Sequence, residues 1–420
     1  MTAPQRMRIL HCGKFYPPHR GGMETFLDQL AQAQAAMNDE VLVLAHGGPP
    51  LGRQETIGPR LALRRAAVAF TLGGYAPVAP TLPLHFLTAL RRFRPQVIHI
   101  HAPNGAALWP ALLRPFSAAP IVLHWHADVQ FPPDKTPHPL LLRCWRQLES
   151  LALRRADAVI ATSQAYLETS PELAPHRNKC RVVPLGLAEP SPSGSHPAQS
   201  SHHDTHTAET ALDATSEYSA RPTAADHPAL RFLDSRRDLR LLAVGRLAHY
   251  KGFGLLLQAL ASTPGASLCL VGEGEERSAL EAAARQPALR DRVHMAGALP
   301  SDVLDACYRR SHVLCLPSLS RSEAFGVVLL EAMSRGLACL AADVPGSGMA
   351  EVLDQGRAGL LVPPGSVEML AQALARLGAE PDLAHRLGQA GRERYAERYA
   401  MPRVAAKIRA VYEEILVARP

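Results

Sequence analysis

The stretch Arg240-Leu241-Leu242-Ala243-Val244-Gly245-Arg246-Leu247-Ala248-His249-Tyr250-Lys251-Gly252 decides the fold. An apolar run of strand length stops at a glycine, two cations follow, and a helical stretch begins at about Gly254. A strand that is apolar at successive positions, not every second one, is covered on both faces, as in a parallel sheet with helical crossovers. The same unit recurs along the chain. Arg8–Cys12, Glu40–Leu44, Gln96–His101, Pro120–Trp125, Asp157–Thr162 and Cys180–Pro184 read as strands in the first half. Ser267–Val271, His312–Leu316, Ala338–Ala341 and Gly359–Val362 read as strands in the second, and helical stretches such as Met23–Met37 separate them. Strand and helix in alternation predict doubly wound α/β sheets.

The alternation is interrupted once. Residues 188–238 are rich in Pro, Ser, Ala, Thr and His, as in Ser191-Pro192-Ser193-Gly194-Ser195-His196-Pro197. So polar a stretch buries too little apolar area to offset the cost of ordering it, which predicts a disordered inter-domain insert. Its histidines (196, 202, 203, 206 and 227) lack the regular spacing of metal ligands. The organisation is therefore a first domain over 1–187, the insert, a second domain over 239–398, and a closing helical segment over 399–420. Ligands of such sheets bind beyond the carboxyl ends of the strands, and two facing domains leave a cleft between them.

At 420 residues the chain is too long for one ordinary core. The net charge of +7 suits anionic partners. It is concentrated in residues 1–187, with about 20 Lys and Arg against about 11 Asp and Glu. A nucleic-acid partner is not expected, because aromatics are 5% of the chain and no RNA-binding motif appears. The seven cysteines form no C-x-x-C pair and several sit in apolar runs, a pattern of reduced, buried thiols in a cytoplasmic protein. Met1 to Leu10 has no long apolar segment before the polar His11-Cys12-Gly13-Lys14, so no secretory signal is expected. From Ala66 to Leu90 there is no charged residue, yet Pro77, Pro80, Pro83 and the pair Gly73-Gly74 would break a spanning helix. A loop and helix packed on the domain is expected there, with peripheral contact to an anionic membrane surface as a second option.

Four clusters lie where a ligand would sit. After the first strand, Gly21 and Gly22 precede a helix and let backbone N–H groups approach an oxyanion, although any strand-to-helix turn uses glycine. Arg246 and Lys251 combine a guanidinium fork with a point charge, a pairing suited to phosphate. A solvated loop with two ordinary charges is the plainer reading. Third comes Ser322-Glu323-Ala324-Phe325-Gly326-Val327-Val328-Leu329-Leu330-Glu331, two carboxylates eight residues apart. A helix starting near Phe325 or Gly326 would present unpaired N–H groups to an anion. Glu323 and Glu331 would then accept from hydroxyls on either side, a pattern that describes a sugar nucleotide: hexose, diphosphate, ribose. A capped helix with one incidental buried glutamate is the alternative. The fourth is His124-Trp125-His126-Ala127-Asp128, where a histidine at a strand end is either functional or packed. His124 and His126 share a direction only if the strand runs through both, so no metal is expected.

Taken together, these motifs resemble a retaining glycosyltransferase of family 4 with the GT-B fold. The resemblance is carried by Tyr16-Pro17-Pro18, Gly21-Gly22-Met23-Glu24, His126, Gly245-Arg246, Lys251-Gly252, Val271-Gly272-Glu273-Gly274 and the E-x7-E pair Glu323 and Glu331. Pro317-Ser318 and Gly359-Leu360-Leu361-Val362-Pro363-Pro364-Gly365 also fit. Within the family, His124–Asp128 and Asp343-Val344-Pro345-Gly346-Ser347-Gly348 look most like bacterial mannosyl- and rhamnosyltransferases of surface polysaccharides.

The resemblance implies two Rossmann-like, doubly wound domains facing across a cleft, and a last helix crossing back to the first domain. It implies transfer of a hexose from a nucleotide-diphosphate sugar, of GDP-mannose or GDP-rhamnose type, to a glycan or lipid-linked glycan, with no cofactor and no metal. Arg246 and Lys251 would hold the diphosphate, and Gly21 and Gly22 would approach it from the first domain. Glu323 and the backbone of Ala324, Phe325, Gly326, Val327 and Val328 would bind sugar and phosphates, and Glu331 the ribose. His126 would contact the hexose, and Gly297, Ala298 and Leu299 the base. The chain departs from the family pattern at Leu185, where an Asn is usual, and in the length of its insert. The alternative is a degenerate GT-B protein that binds a sugar nucleotide or glycan without transfer.

Overall fold

The computed structural model describes residues 6–19, 21–47, 54–72, 76–129, 138–190 and 226–418. The first domain is built on an eight-stranded sheet. Its strands in chain order are β1 (Arg8–Cys12), β2 (Glu40–His46), β3 (Gln54–Gly58) and β4 (Leu61–Ala66). A separate hairpin, β5 (Phe70–Leu72) and β6 (Ala76–Val78), precedes β7 (Val97–Ala102), β8 (Ile121–Trp125), β9 (Ala158–Ala161) and β10 (Cys180–Val182). The sheet order is β10-β9-β8-β7-β1-β2-β4-β3, parallel except for the edge pair β3–β4. The second sheet is parallel throughout, in the order β13-β12-β11-β14-β15-β16. Its strands are β11 (Leu239–Val244), β12 (Ala266–Val271), β13 (Val293–Gly297), β14 (Val313–Leu316), β15 (Ala338–Ala342) and β16 (Leu360–Val362).

The continuous apolar strands are buried on both faces, as their composition requires: β2, β7, β8, β12, β14 and β15 carry almost no exposed residue. In each sheet the strand order reverses beside the first strand, between β1 and β7 and between β11 and β14. Those switch points are where open α/β sheets take ligands. The chain returns to the first domain at its end. Leu187 bridges to Ala400, and the last helix, Met401–Val417, packs on the first helix, Gly22–Ala36. Arg409 makes a buried ion pair with Asp39 there, Nη1 to Oδ1 2.6 Å.

Four expectations need correction. The insert was expected to be disordered through 238, but Pro228–Asp234 is a helix with Ala229, Leu230 and Leu233 buried against the second domain. A short apolar triplet inside a polar stretch is enough when a neighbouring sheet covers it. Residues 191–225, with His196, His202, His203 and His206, lie outside the described residues. The polar edge strand β3, its neighbour β4 and the strand β13 were not read as strands. In the charge-free segment after Ala66, the hairpin and the helix Leu82–Arg92 replace a single loop and helix. Finally, Cys144 is exposed while the other six cysteines are buried, all seven as free thiols.

Candidate active site

The loops at the two switch points face each other. A Cβ added to Gly22 would come 3.5 Å from Cγ2 of Val327, so the glycine turn after β1 abuts the start of the helix Val327–Met333. That helix begins at Val327, one residue past Gly326, the later of the two expected starts, with Gly326 as its N-cap at φ +78°. At seven residues it has little macrodipole, and what it can offer an anion is the N–H groups at its start, ahead of Leu329, whose own N–H already donates to the Gly326 carbonyl (2.8 Å). Ser347 Oγ donates to the carbonyl of Glu323 (2.6 Å) and the N–H of Gly348 to that of Ala324 (2.7 Å), pinning the loop.

Behind the loop, the Lys251 ammonium donates to the Glu323 carboxylate. Both side chains are nearly buried, 9% and 12% exposed. Burial pulls the lysine's pKa down, Glu323 and Tyr250 push it up, and the net direction is up, so the residue is held charged. Gly252, in the left-handed region at φ +70°, turns the chain under the carbonyl of Pro317, which would lie 2.2 Å from an added Cβ. That contact explains why a glycine follows Lys251. Arg246 is half exposed and pairs with Glu275 (3.0 Å). Glu331 is held by Tyr308, whose hydroxyl donates to Oε2 at 2.5 Å. Burial raises the Glu331 pKa against the opposing effects of Tyr308, Arg335 and Lys251.

Gly21 is crowded by an acid: the Glu24 carboxylate stands where a Cβ would, 2.3 Å away. The expected phosphate approach at Gly21 is thus occupied by the helix's own first-turn carboxylate, whose pKa burial raises. Gly297 closes β13 at φ +67° and its carbonyl accepts from Gly272 N–H (2.9 Å). With Ala298 and Leu299 it sits at the sheet edge, two strands from β11. His126 lies just past β8, packed edge-on to Phe26 of the first helix at 5.5 Å. Burial pushes its pKa down to about 3, so the ring is neutral.

Several residues at the site were missed. Lys14 follows β1 and shares its electrostatic surroundings with Glu24 and Arg246. Burial lowers its pKa, Glu24 raises it and Arg246 lowers it. Its signal was present, since Gly13-Lys14 repeats the strand-glycine-cation pattern of Gly245-Arg246. Asp128 proves to be a tie between domains: it accepts from Trp125 Nε1 (2.8 Å) and Ser170 Oγ (2.8 Å) and pairs with Arg321 (2.9 Å). Glu351 of the second domain caps the helix Gln164–Thr169 of the first, accepting from the N–H groups of Gln164 (3.2 Å) and Ala165 (2.6 Å). Local sequence carries no sign of these partners.

Residues 21–186 match the glycosyl transferase 4-like domain, and residues 233–394 match glycosyl transferases group 1. The chain is a glycosyltransferase of this family. It is 27% identical over 402 residues to D-rhamnosyltransferase WbpZ of Pseudomonas aeruginosa, covering 93% of this chain and 92% of that protein. It is 24% identical over 403 residues to O-antigen chain mannosyltransferase C of Escherichia coli, covering 94% of each. Sucrose-phosphate synthase from Thermosynechococcus elongatus superposes on this glycosyltransferase with a TM-score of 0.75 at 23% identity, covering 98% of this chain and 100% of that one. The shared fold is GT-B.

Proposed function

We propose that this glycosyltransferase moves a hexose, with retention, from a nucleotide-diphosphate sugar of the GDP-mannose or GDP-rhamnose type to a glycan or lipid-linked glycan acceptor of surface polysaccharide. The observation that carries the reading is the buried Lys251–Glu323 pair beneath the loop that meets Gly22. In this reading it brings a fixed cation and a hydroxyl acceptor together where the two domains would close on one ligand. The rhamnosyl- and mannosyltransferase relatives support the donor type.

In this reading Arg246 and Lys251 neutralise the diphosphate as the glycosidic bond breaks, and the transfer needs no metal. A preorganised cation of this kind stabilises the charge that develops on the leaving group. The backbone amides of the loop and first turn from Ala324 to Val328 and the turn at Gly22 complete the phosphate site. Lys14 adds a third cation from the first domain, and Glu24 leaves Gly21 when phosphate arrives. Glu323 accepts from the sugar, the second oxygen of Glu331 from the ribose, and His126 touches the hexose. Gly297, Ala298 and Leu299 face the base.

The first domain would meet an anionic membrane from the cytoplasmic side. Leu84 is 65% exposed and Phe116 70%, with Leu112 and Leu140 also exposed, and Arg91 and Arg92 are exposed on the helix that carries Leu84. Among the described residues no helix is long and apolar enough to cross a membrane.

The test is release of nucleoside diphosphate from GDP-mannose, GDP-rhamnose, UDP-glucose, UDP-galactose and UDP-N-acetylglucosamine, with chelator, for wild type, Glu323→Ala and Lys251→Ala. Release from one donor that survives chelator and fails in both variants is expected. Turnover that requires divalent metal, or that persists in Lys251→Ala, refutes the mechanism.

A further inference from the structure

Three adjacent strands bring five histidines together. His11 of β1 stands opposite His99 of β7, His101 of β7 opposite His124 of β8, and His126 follows β8. Four are fully buried and His126 is 7% exposed. The first helix covers them with Phe26 and Gln34, and the last helix with Tyr412.

Two triads, His11/His99/His101 and His101/His124/His126, have ring nitrogens within 4.8 Å of one another. The ring planes argue for a different use. A metal takes the lone pair in the plane of an imidazole. His124 stacks face-on to His126 (centroids 4.5 Å, 14°) and His99 to His101 (4.6 Å, 17°), so within each triad two rings cannot aim at one ion. The pairs 5.3 Å apart are instead joined edge to edge by hydrogen bonds.

Those bonds have a direction. Gln34 Oε1 can only accept, so His11 Nε2 donates to it (2.7 Å). A neutral imidazole has one N–H, so His11 Nδ1 accepts from His101 Nε2 (3.0 Å). His101 Nδ1 then accepts from His126 Nε2 (3.1 Å). What remains to His126 is a bare Nδ1. The far end is anchored as well: Gln34 Nε2 donates to the Tyr412 hydroxyl (3.2 Å), whose own proton goes to His99 Nδ1 (2.5 Å). Burial keeps the rings neutral, with His11 pushed down to about 4.

We propose that Gln34 and Tyr412 are positioning residues that hold His126 in its Nε2–H tautomer through His11 and His101, so that Nδ1 accepts a hydrogen bond from a donor-sugar hydroxyl. This rests on the placement of His126 at the hexose. Reversing the Gln34 amide would reverse every ring in the line and turn Nδ1 into a donor, because each ring passes on the sense it receives. Since Tyr412 sits on the helix that returns from the second domain, the docking of that helix is read at the sugar.

The experiment is nitrogen-15 NMR of histidine-labelled full-length enzyme, with the His126 signals assigned by their loss in His126→Gln. Wild type should show Nε2–H at His126. Tyr412→Phe and Gln34→Met should each mix or reverse that tautomer. Both variants should lower turnover about three- to tenfold, the worth of one neutral hydrogen bond, with nucleoside diphosphate binding unchanged. Gln34→Met keeps the test alive if Tyr412→Phe does not fold. An Nδ1–H signal in wild type, an unmoved tautomer in both variants, or stoichiometric zinc in the purified protein overturns the relay. A tautomer that follows Gln34 while His126→Ala leaves turnover intact refutes the sugar contact alone.

Discussion

Lys251→Ala removes the cation from a pair whose side chains are 9% and 12% exposed, leaving the Glu323 carboxylate without its ammonium. Breaking a buried pair from one side costs about 3–5 kcal/mol. A loss at the lower end of that range, about 3 kcal/mol, is expected because both side chains keep some solvent contact. Loss of one preorganised charge opposite a leaving group should lower turnover by about 10²–10³. Adding Glu323→Gln separates the two effects. The double variant no longer buries an unpaired charge and should regain most of the stability, but it has no cation to offer the diphosphate and should regain no turnover. Urea unfolding and nucleoside diphosphate release at saturating donor measure the two quantities. Turnover that returns together with stability, or a folded Lys251→Ala enzyme within about threefold of wild type, would show that the lysine only holds the loop.

Acid should unfold the first domain early. His11, His99, His101, His124 and His126 all have pKa values lowered by burial, from 6.5 to about 4 for His11 and about 3 for His126. The unfolded chain therefore binds more protons below pH 6.5, and stability falls as pH drops from there toward the folded values, by about 1.4 kcal/mol per histidine per unit. Several such groups approach the whole stability of a domain, about 5–15 kcal/mol, so a urea midpoint unchanged between pH 7.5 and 5.5 would contradict the burial. Gly252→Ala combines φ +70° with a Cβ 2.2 Å from the Pro317 carbonyl and should cost about 2–4 kcal/mol in thermal unfolding. A loss under about 0.5 kcal/mol would refute the contact. The enzyme should sediment with anionic vesicles at low salt, and Leu84→Glu with Phe116→Glu should abolish this. Wild type that stays in the supernatant ends the membrane proposal.

The sequence was most legible where structure is local. β7 and β12 announce themselves because every residue in a strand covered on both faces must be apolar or satisfied, and Gly272 ends the β12 run at its carboxyl end. Polar edge strands such as Gln54–Gly58 escaped because a strand paired on one side needs no apolar face. The helix Pro228–Asp234 escaped because three buried residues do not shift the composition of a fifty-residue stretch.

The sequence by itself determined the two sheets, the order of strand and helix, and the residue types that stand at the strand ends: Gly22, Arg246, Lys251, Glu323 and His126. Only the tertiary structure decided their partners. That Lys251 meets Glu323 seventy-two residues away, that Gly22 abuts Val327, and that Gln34 and Tyr412 orient His126 all depend on register between strands and on crossovers that return distant loops to one sheet edge. Apolar patterning sets which face of an element is buried, since that is a property of consecutive residues. A hydrogen bond or ion pair has a direction and a single partner, and those are settled only when the faces meet.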